Sequence, residues 1–344
     1  VIDLKAIYLT TLERCAPNVL VQRVVRDDMP RNVVAIGKCA GALLDGVARV
    51  LSIENAFVAI PETYPLPHTR ADIAIGGHPQ MTHASFEAGA RLLEFVDAHR
   101  DILFLISGGG SACVEVARSP HTEEELIATN AKLIASGKPI GEINATRKEL
   151  SAIKGGRLAE RVRGRNVTLV YSDVATGRLD DVASGPGRDP ILIADNHTLT
   201  DTAAKLCNAI RWPGQLEADV ETAARELAER ALQLNGDEVL VAGGEPTVVV
   251  RGEGRGGRCS ELAVRFARKT TGIQALFASS DGVDGNSGCA GIFLPAQRSP
   301  IDDAEVNKAL AESDSFRIAA QLGEPIMIRP TANNLRDLFL LARG

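Results

Sequence analysis

Short apolar runs that end in glycine, serine or aspartate, each followed by a segment of helical period, set the strongest limit on how this chain can fold. "NVVAIGK" (32–38), "NAFVAIP" (55–61), "ADIAIGGHP" (71–79), "DILFLISGGGSA" (101–112) and "RNVTLVYSDV" (165–174) have this form. Helical segments lie between them. In "SFEAGARLLEFVDAH" (85–99), for example, Leu92, Leu93 and Val96 share one face. Such strand–helix alternation predicts an α/β fold built on a mainly parallel sheet.

Residues 195–234 read as helical, broken at "RWPGQ" (211–215), where Trp212 is expected to be a packing anchor. A second group of strands follows in "NGDEVLVAGGEPTVVVRG" (235–252), "IQALFASSDG" (273–282), "PIMIRP" (325–330) and "LRDLFLLA" (335–342). A chain of 344 residues can hold two cores. The expected division is a larger, Rossmann-like α/β domain over 1–234 and a smaller α/β domain over 235–344.

The balance of 38 basic against 44 acidic side chains, a net charge of −6, argues against a nucleic-acid partner. No apolar run approaches the roughly 20 residues that a membrane span needs, and no signal peptide shows at the start. The six cysteines (Cys15, Cys39, Cys113, Cys207, Cys259, Cys289) contain no C-x-x-C pair and read as reduced thiols of a cytoplasmic protein.

In open α/β sheets ligands bind beyond the carboxyl ends of the strands, so the residues found there are the candidate chemistry. Gly37 and Lys38 follow the first run, and Ser107, Gly108, Gly109, Gly110 and Ser111 follow "ILFLI". Successive glycines let backbone N–H groups converge on phosphate oxygens. Asp173, Asp281 and Glu245 follow three other runs and are candidates for a metal or for accepting a hydroxyl proton. The basic stretch 144–165 is interrupted at Lys154, Gly155, Gly156 and Arg157. Two glycines weaken a helix, and the turn suits a polyphosphate grip. This set fits phosphoryl transfer, which relies on positioning and charge neutralisation. Zinc-protease, nucleophile-elbow and Walker A patterns are lacking.

The stretch "RGEGRGGR" (251–258) contains a literal G-x-G-x-x-G, and Asp281 lies a little over 20 residues on. That is the outline of a dinucleotide fingerprint. Three interleaved arginines fit it poorly. Arg255 and Arg258 suit a bidentate grip on a carboxylate instead, unless the loop only caps the helix that begins at Arg258.

Together these motifs resemble the class II glycerate 2-kinases, whose C-terminal half is the MOFRL domain. The resemblance spans nearly the whole chain, through "GKCAGAL" (37–43), "GGHP" (76–79), "LISGGGSA" (105–112), "TRKELSAIKGGRLA" (146–159), "SDVATGRLDDVASGP" (172–186), "GGEPTVVVRGEGRGGR" (243–258), "SSDGVDG" (279–285) and "PTANNLRDL" (330–338). It implies two α/β domains with the active site in the cleft between them, and an ATP- and Mg²⁺-dependent kinase acting on the 2-hydroxyl of D-glycerate or a related small hydroxy acid. Lys38 matches a lysine thought to be catalytic and Arg336 a functional arginine. Asn333 lies in a motif expected to meet substrate, and Asp173 is the first choice for Mg²⁺ or for orienting the hydroxyl. The chain departs from the family pattern at Thr82, His83, Glu149, Cys259, Ser260, Gly288, Ala332 and Asn333. Relatives are often labelled hydroxypyruvate reductases, which keeps an NAD-dependent reductase and a catalytically altered nucleotide-binding paralogue as alternatives. The expected partner is a small hydroxy acid, not a membrane or nucleic acid, and a homodimer is compatible with the reading.

Overall fold

The computed structural model describes residues 2–136, 140–174 and 177–344. Ala175 and Thr176 of the "SDVATGRLDDVASGP" motif therefore lie outside the described residues. The chain forms two compact units, one of Ala16–Asp195 and one of Val1–Cys15 with Asn196–Gly344. The division expected at 234/235 falls inside the second unit, because the helices Asn196–Cys207 and Val220–Ala231 pack there with the later strands.

The first unit holds six parallel strands: β1 (Asn32–Ile36), β2 (Asn55–Pro61), β3 (Asp72–Gly76), β4 (Ile102–Ser107), β5 (Asn166–Tyr171) and β6 (Ile191–Ala194). Their order is β3-β2-β1-β4-β5-β6. This is the doubly wound arrangement in which strand order reverses between β1 and β4, leaving a crevice at their carboxyl ends. Central β4 is buried at every position, as expected of a parallel strand covered on both faces. Phe57, Leu92, Val96, Phe104 and Leu158 meet in the core on one face. The helix His83–Ala98 starts at Thr82, whose hydroxyl and backbone N–H form a reciprocal capping box with Ser85. The departure at Thr82 thus stands at a helix start.

The second unit has β7 (Ile210–Arg211), β8 (Val239–Gly244), β9 (Ile273–Ser279), β10 (Gly291–Leu294), β11 (Glu324–Pro325) and β12 (Asp337–Arg343), in the order β11-β10-β9-β12-β8-β7. The sheet is mixed: β12 runs antiparallel to both β8 and β9. β6, β7 and β10 had not been anticipated, and of the strand expected over 325–330 only Pro325 lies in one. The expected strand over 235–252 stops at Gly244, and Val249 and Val250 are among the most exposed apolar side chains. Trp212 packs against the core, as expected.

The helix Leu4–Arg14 opens at Asp3, whose carboxylate accepts from the Ala6 N–H at 3.0 Å. It packs into the second unit, where the buried Tyr8 hydroxyl donates to the Ser279 carbonyl at the end of β9, 2.7 Å away. Replacing Tyr8 by Phe removes the shorter of that carbonyl's two hydrogen bonds, leaving only the Gly282 N–H at 3.3 Å. A loss of about 1–2 kcal/mol is expected, read as a lower urea midpoint at unchanged m-value. An unchanged midpoint would remove Tyr8 from this role.

Candidate active site

The ends of β1 and β4 are locked together. The Lys38 N–H donates to the Gly108 carbonyl at 2.9 Å. The Ser107 hydroxyl donates to Ile36 O at 3.2 Å and accepts the Cys39 N–H at 3.0 Å. Gly37 has φ +108°, and a Cβ there would stand 2.6 Å from the Gly108 carbonyl, so the approach needs glycine. Gly109 has φ +83° and turns the chain left-handed into the short helix Gly110–Cys113. The Lys38 ammonium lies 5.6 Å from the Tyr64 ring centroid, and His78 meets the same ring edge-on. Burial first, and the Lys38 charge second, lower His78 to about 4, so it is neutral at pH 7 and Lys38 carries the charge over this turn. Asp173 stands two residues beyond Tyr171, which pairs with Ser107 in the sheet register, so it follows the carboxyl end of β5. The ends of β1 and β4 thus bring together Gly37, Lys38 and the turn 107–111.

The turn 154–157 does not supply the expected phosphate grip. Lys154 is 1% exposed, and its ammonium pairs with the buried Glu115 carboxylate. Glu115 also accepts from the Ser151 hydroxyl at 2.5 Å. Arg157 Nη1 donates to the carbonyls of Lys148, Ser151 and Lys154 at 2.5, 3.3 and 2.9 Å. Gly155 and Gly156 have φ +64° and +82°, and their N–H groups donate to Ser184 O and Gly185 O at 3.1 and 2.7 Å. The glycines are there to dock the turn onto 184–186, and both basic side chains are spent inside the unit.

In the second unit the reversed direction of β12 sets Asp337 opposite Gly244 of β8 and Ser279 of β9. Arg258 bridges Asp337 (3.2 and 3.3 Å) and Glu245 (3.0 Å). Arg336, at φ +66°, reaches Glu245 at 3.3 Å and Gln215 and Glu217 at 2.7 Å each. Glu245 is thus clamped by two guanidinium groups rather than open to a metal. Asp281 accepts from the Ser279 hydroxyl at 2.8 Å and the Val283 N–H at 3.0 Å, fixing its own turn. Among the described residues no group of three or more His, Cys, Asp and Glu side chains is placed to hold a metal ion. Asn333, expected at the substrate, is buried and donates to Leu12 O at 3.1 Å.

The loop 251–258 packs on its own unit. Cβ atoms at Gly252 and Gly254 would each stand 2.5 Å from Glu312 O. Gly254 N–H donates to that carbonyl, and Arg255 N–H donates to Asp314 Oδ1 at 3.2 Å. The Arg255 guanidinium stacks 4.5 Å from the Phe316 centroid and donates to Ser287 O, which removes it from a substrate clamp. A Cβ at Gly288 would come within 2.9 Å of that guanidinium, which accounts for glycine at this departure. Asp284 caps the helix Arg258–Ala267 by accepting the N–H groups of Cys259 and Ser260 at 2.8 and 2.9 Å and the Ser260 hydroxyl. The dinucleotide pattern is thus a close-packed loop feeding a capped helix, with no turn left for a pyrophosphate. Glu115, Asn144, Ser184 and Asp284 were not singled out from the sequence. The small-residue run "VASGP" and "GVDG" were the available signals.

Two outcomes follow. Lys154→Met leaves Glu115 buried and unpaired, for an expected loss of about 3–5 kcal/mol in denaturant unfolding, with Lys154→Met/Glu115→Leu recovering most of it. A mild single-mutant effect would mean that water reaches the pair. Asp337 is wholly buried. Burial raises it to about 6 against the pull of Arg258. Its folded value lies above its unfolded one, so its contribution is complete below about pH 4 and lost as pH rises through 6. Wild-type stability relative to Asp337→Asn therefore falls between pH 4 and 7 by roughly 2–3 kcal/mol. Parallel Tm–pH curves for the two proteins would contradict this.

Residues 3–225 match the domain of unknown function DUF4147, and residues 238–337 match the MOFRL family. The position 234/235 falls between these two matches. A glycerate 2-kinase of Pyrococcus horikoshii is 28% identical, over 90% of this chain and 86% of that protein. A D-glycerate 2-kinase of Thermotoga maritima is 27% identical over 98% of each. The crystal structure of a glycerate kinase (EC 2.7.1.31) from Thermotoga maritima superposes with a TM-score of 0.88, at 28% identity and 98% coverage of both chains. No helix among the described residues is long and apolar enough to cross a membrane.

Proposed function

We propose that this chain, which belongs to the DUF4147 family and carries a MOFRL domain behind it, is a glycerate 2-kinase. The reaction is transfer of the γ-phosphoryl group of ATP to the 2-hydroxyl of D-glycerate. The observation that carries the reading is the crevice between β1 and β4, where Lys38 and a glycine turn meet at the point of strand-order reversal. The similarity to glycerate 2-kinases over nearly the whole chain supports the same chemistry.

In this reading the backbone of 107–110 cradles the nucleotide phosphates and Lys38 neutralises charge on the transferring group. Asp173 orients the attacking hydroxyl or holds Mg²⁺. Mg²⁺ arriving on nucleotide phosphates needs only one or two protein carboxylates, so one carboxylate is enough. When bound, it would reduce the charge on the phosphates. In the second unit, Glu245, Glu217 and Asp337 hold the Arg336 and Arg258 guanidinium groups in fixed positions. The reductase alternative loses its footing, because the loop it requires is packed on Glu312 and Asp314.

The test is ADP release with D-glycerate in the presence of Mg²⁺, with the phosphorylated position read by ³¹P NMR. Lys38→Ala is expected to lower kcat/KM about 10²- to 10³-fold at unchanged Tm. A Lys38→Ala enzyme with wild-type kcat/KM would remove Lys38 from catalysis. Absence of turnover on D-glycerate would refute the kinase assignment itself.

A further inference from the structure

The hydroxyls beside the glycine turn form a chain whose direction can be worked out. Ser111 Oγ lies 2.8 Å from Ser184 Oγ, and Ser184 Oγ lies 3.0 Å from Asn144 Oδ1. Asn144 Nδ2 faces the Asp181 carbonyl at 3.4 Å. Turning the amide over would set two oxygens against each other there, so Oδ1 points at Ser184. Oδ1 carries no proton, and the single proton of Ser184 must fill that contact. Ser184 then has only lone pairs for Ser111, so the Ser111 proton goes to Ser184. Nothing in this chain can rotate to serve a ligand without breaking a bond. Ser184 and Asn144 are buried, while Ser111 is only partly covered. Ala183 and Ser184 are both held at positive φ, +52° and +58°. Ala183 packs closely on Gly110, 2.6 Å from where a Cβ would stand. Backbone strain at both positions holds the Ser184 hydroxyl against this turn.

We infer that Ser111 is a specificity-determining residue that accepts a hydrogen bond from a ligand hydroxyl and does not donate to phosphate. Phosphate oxygens need donors, and the Ser111 proton is already committed. This corrects the expectation that 107–111 act as one phosphate-binding unit: the last residue recognises a hydroxyl. The inference rests on the kinase reading above, and the hydroxyl belongs either to the hydroxy acid or to the nucleotide ribose.

The test is a cycle of protein against ligand variants. Wild type and Ser111→Ala are each assayed with D-glycerate and with D-lactate, which lacks the 3-hydroxyl, and separately with ATP and with 2′-deoxy- and 3′-deoxy-ATP. For the ligand that Ser111 reads, Ser111→Ala is expected to lower kcat/KM about tenfold with the hydroxyl present, roughly the worth of one hydrogen bond. That loss shrinks to under about threefold with the deoxy partner. The acid arm and the nucleotide arms show which source is read. Ser184→Gly suits the positive φ and frees the Ser111 proton, so the same coupling should weaken in it and competition by inorganic phosphate should strengthen. Equal loss by Ser111→Ala with every ligand, or stronger phosphate competition in wild type than in Ser184→Gly, overturns the assignment. Wild-type turnover without coupling sinks this assignment alone, whereas no wild-type turnover with any acid sinks the kinase reading and this assignment with it.

Discussion

The bond from the Lys38 N–H to the Gly108 carbonyl, with the Ser107 hydroxyl spanning Ile36 and Cys39, is the constraint on which the candidate site depends. Parallel strands normally part company at a topological switch point, where successive connections leave on opposite faces. Here the two strand ends are pinned to each other just past the sheet, two residues beyond β1 and one beyond β4. Gly37 and Gly109 are needed because no other residue tolerates both the left-handed backbone and the approach. The pin sets where the Lys38 side chain starts and where the glycine turn begins. Every later feature of the crevice, from the neutral His78 to the committed proton of Ser111, is referred to that geometry.

Buried charge plays the supporting part in each unit. Lys154 and Glu115 are buried together, and Arg258 meets the wholly buried Asp337. Neither arrangement is an economical source of stability, since desolvation offsets most of the attraction. What both do is fix backbone. Glu115 also holds Ser151, whose oxygen accepts the N–H groups of Ile153 and Lys154 ahead of the glycine pair. Arg258 joins the start of its helix to the start of β12. Ionic partners of this kind have strict geometry, and strict geometry is what a loop beside a reacting group requires.

The sequence told strand ends apart from linkers well, because apolar runs and glycine turns are local signals. The six-strand order could not be read locally, yet Gly37, Lys38 and the glycine turn were named from position alone and meet where β1 and β4 end. Composition misled where a charged or glycine-rich motif serves packing. "KGGR" and "RGEGRGG" look like anion grips, but Lys154 pairs with a buried acid, Arg157 bridges carbonyls and Arg255 stacks on Phe316. A positive charge in a motif says nothing about whether its partner is a ligand or Glu115, and that partner lies 39 residues away in the chain. β10 was missed because "GIFL" is only four residues long. The partners of Asn333 and Tyr8 were missed because helix Leu4–Arg14 packs against residues some 270 to 320 positions later.

The crevice also separates what its groups can recognise. Lys38 offers a positive charge and His78 beside it stays neutral, because burial and the ammonium both oppose a second proton. A doubly charged pair would bind any polyanion, in its ground state as firmly as in its transition state, and tighter binding of that kind does not accelerate transfer. A single cation over a glycine turn leaves charge neutralisation to be completed as the phosphoryl group moves. The hydroxyl chain ending at Ser111 adds a site of opposite polarity, an acceptor among donors. Such a site discriminates by what it refuses, since an anionic oxygen placed against Ser111 would meet lone pairs. Specificity for a polyhydroxylated ligand over a bare phosphate then follows from the direction of one buried proton, and that direction is set by the Asp181 carbonyl three hydrogen bonds along the chain of contacts.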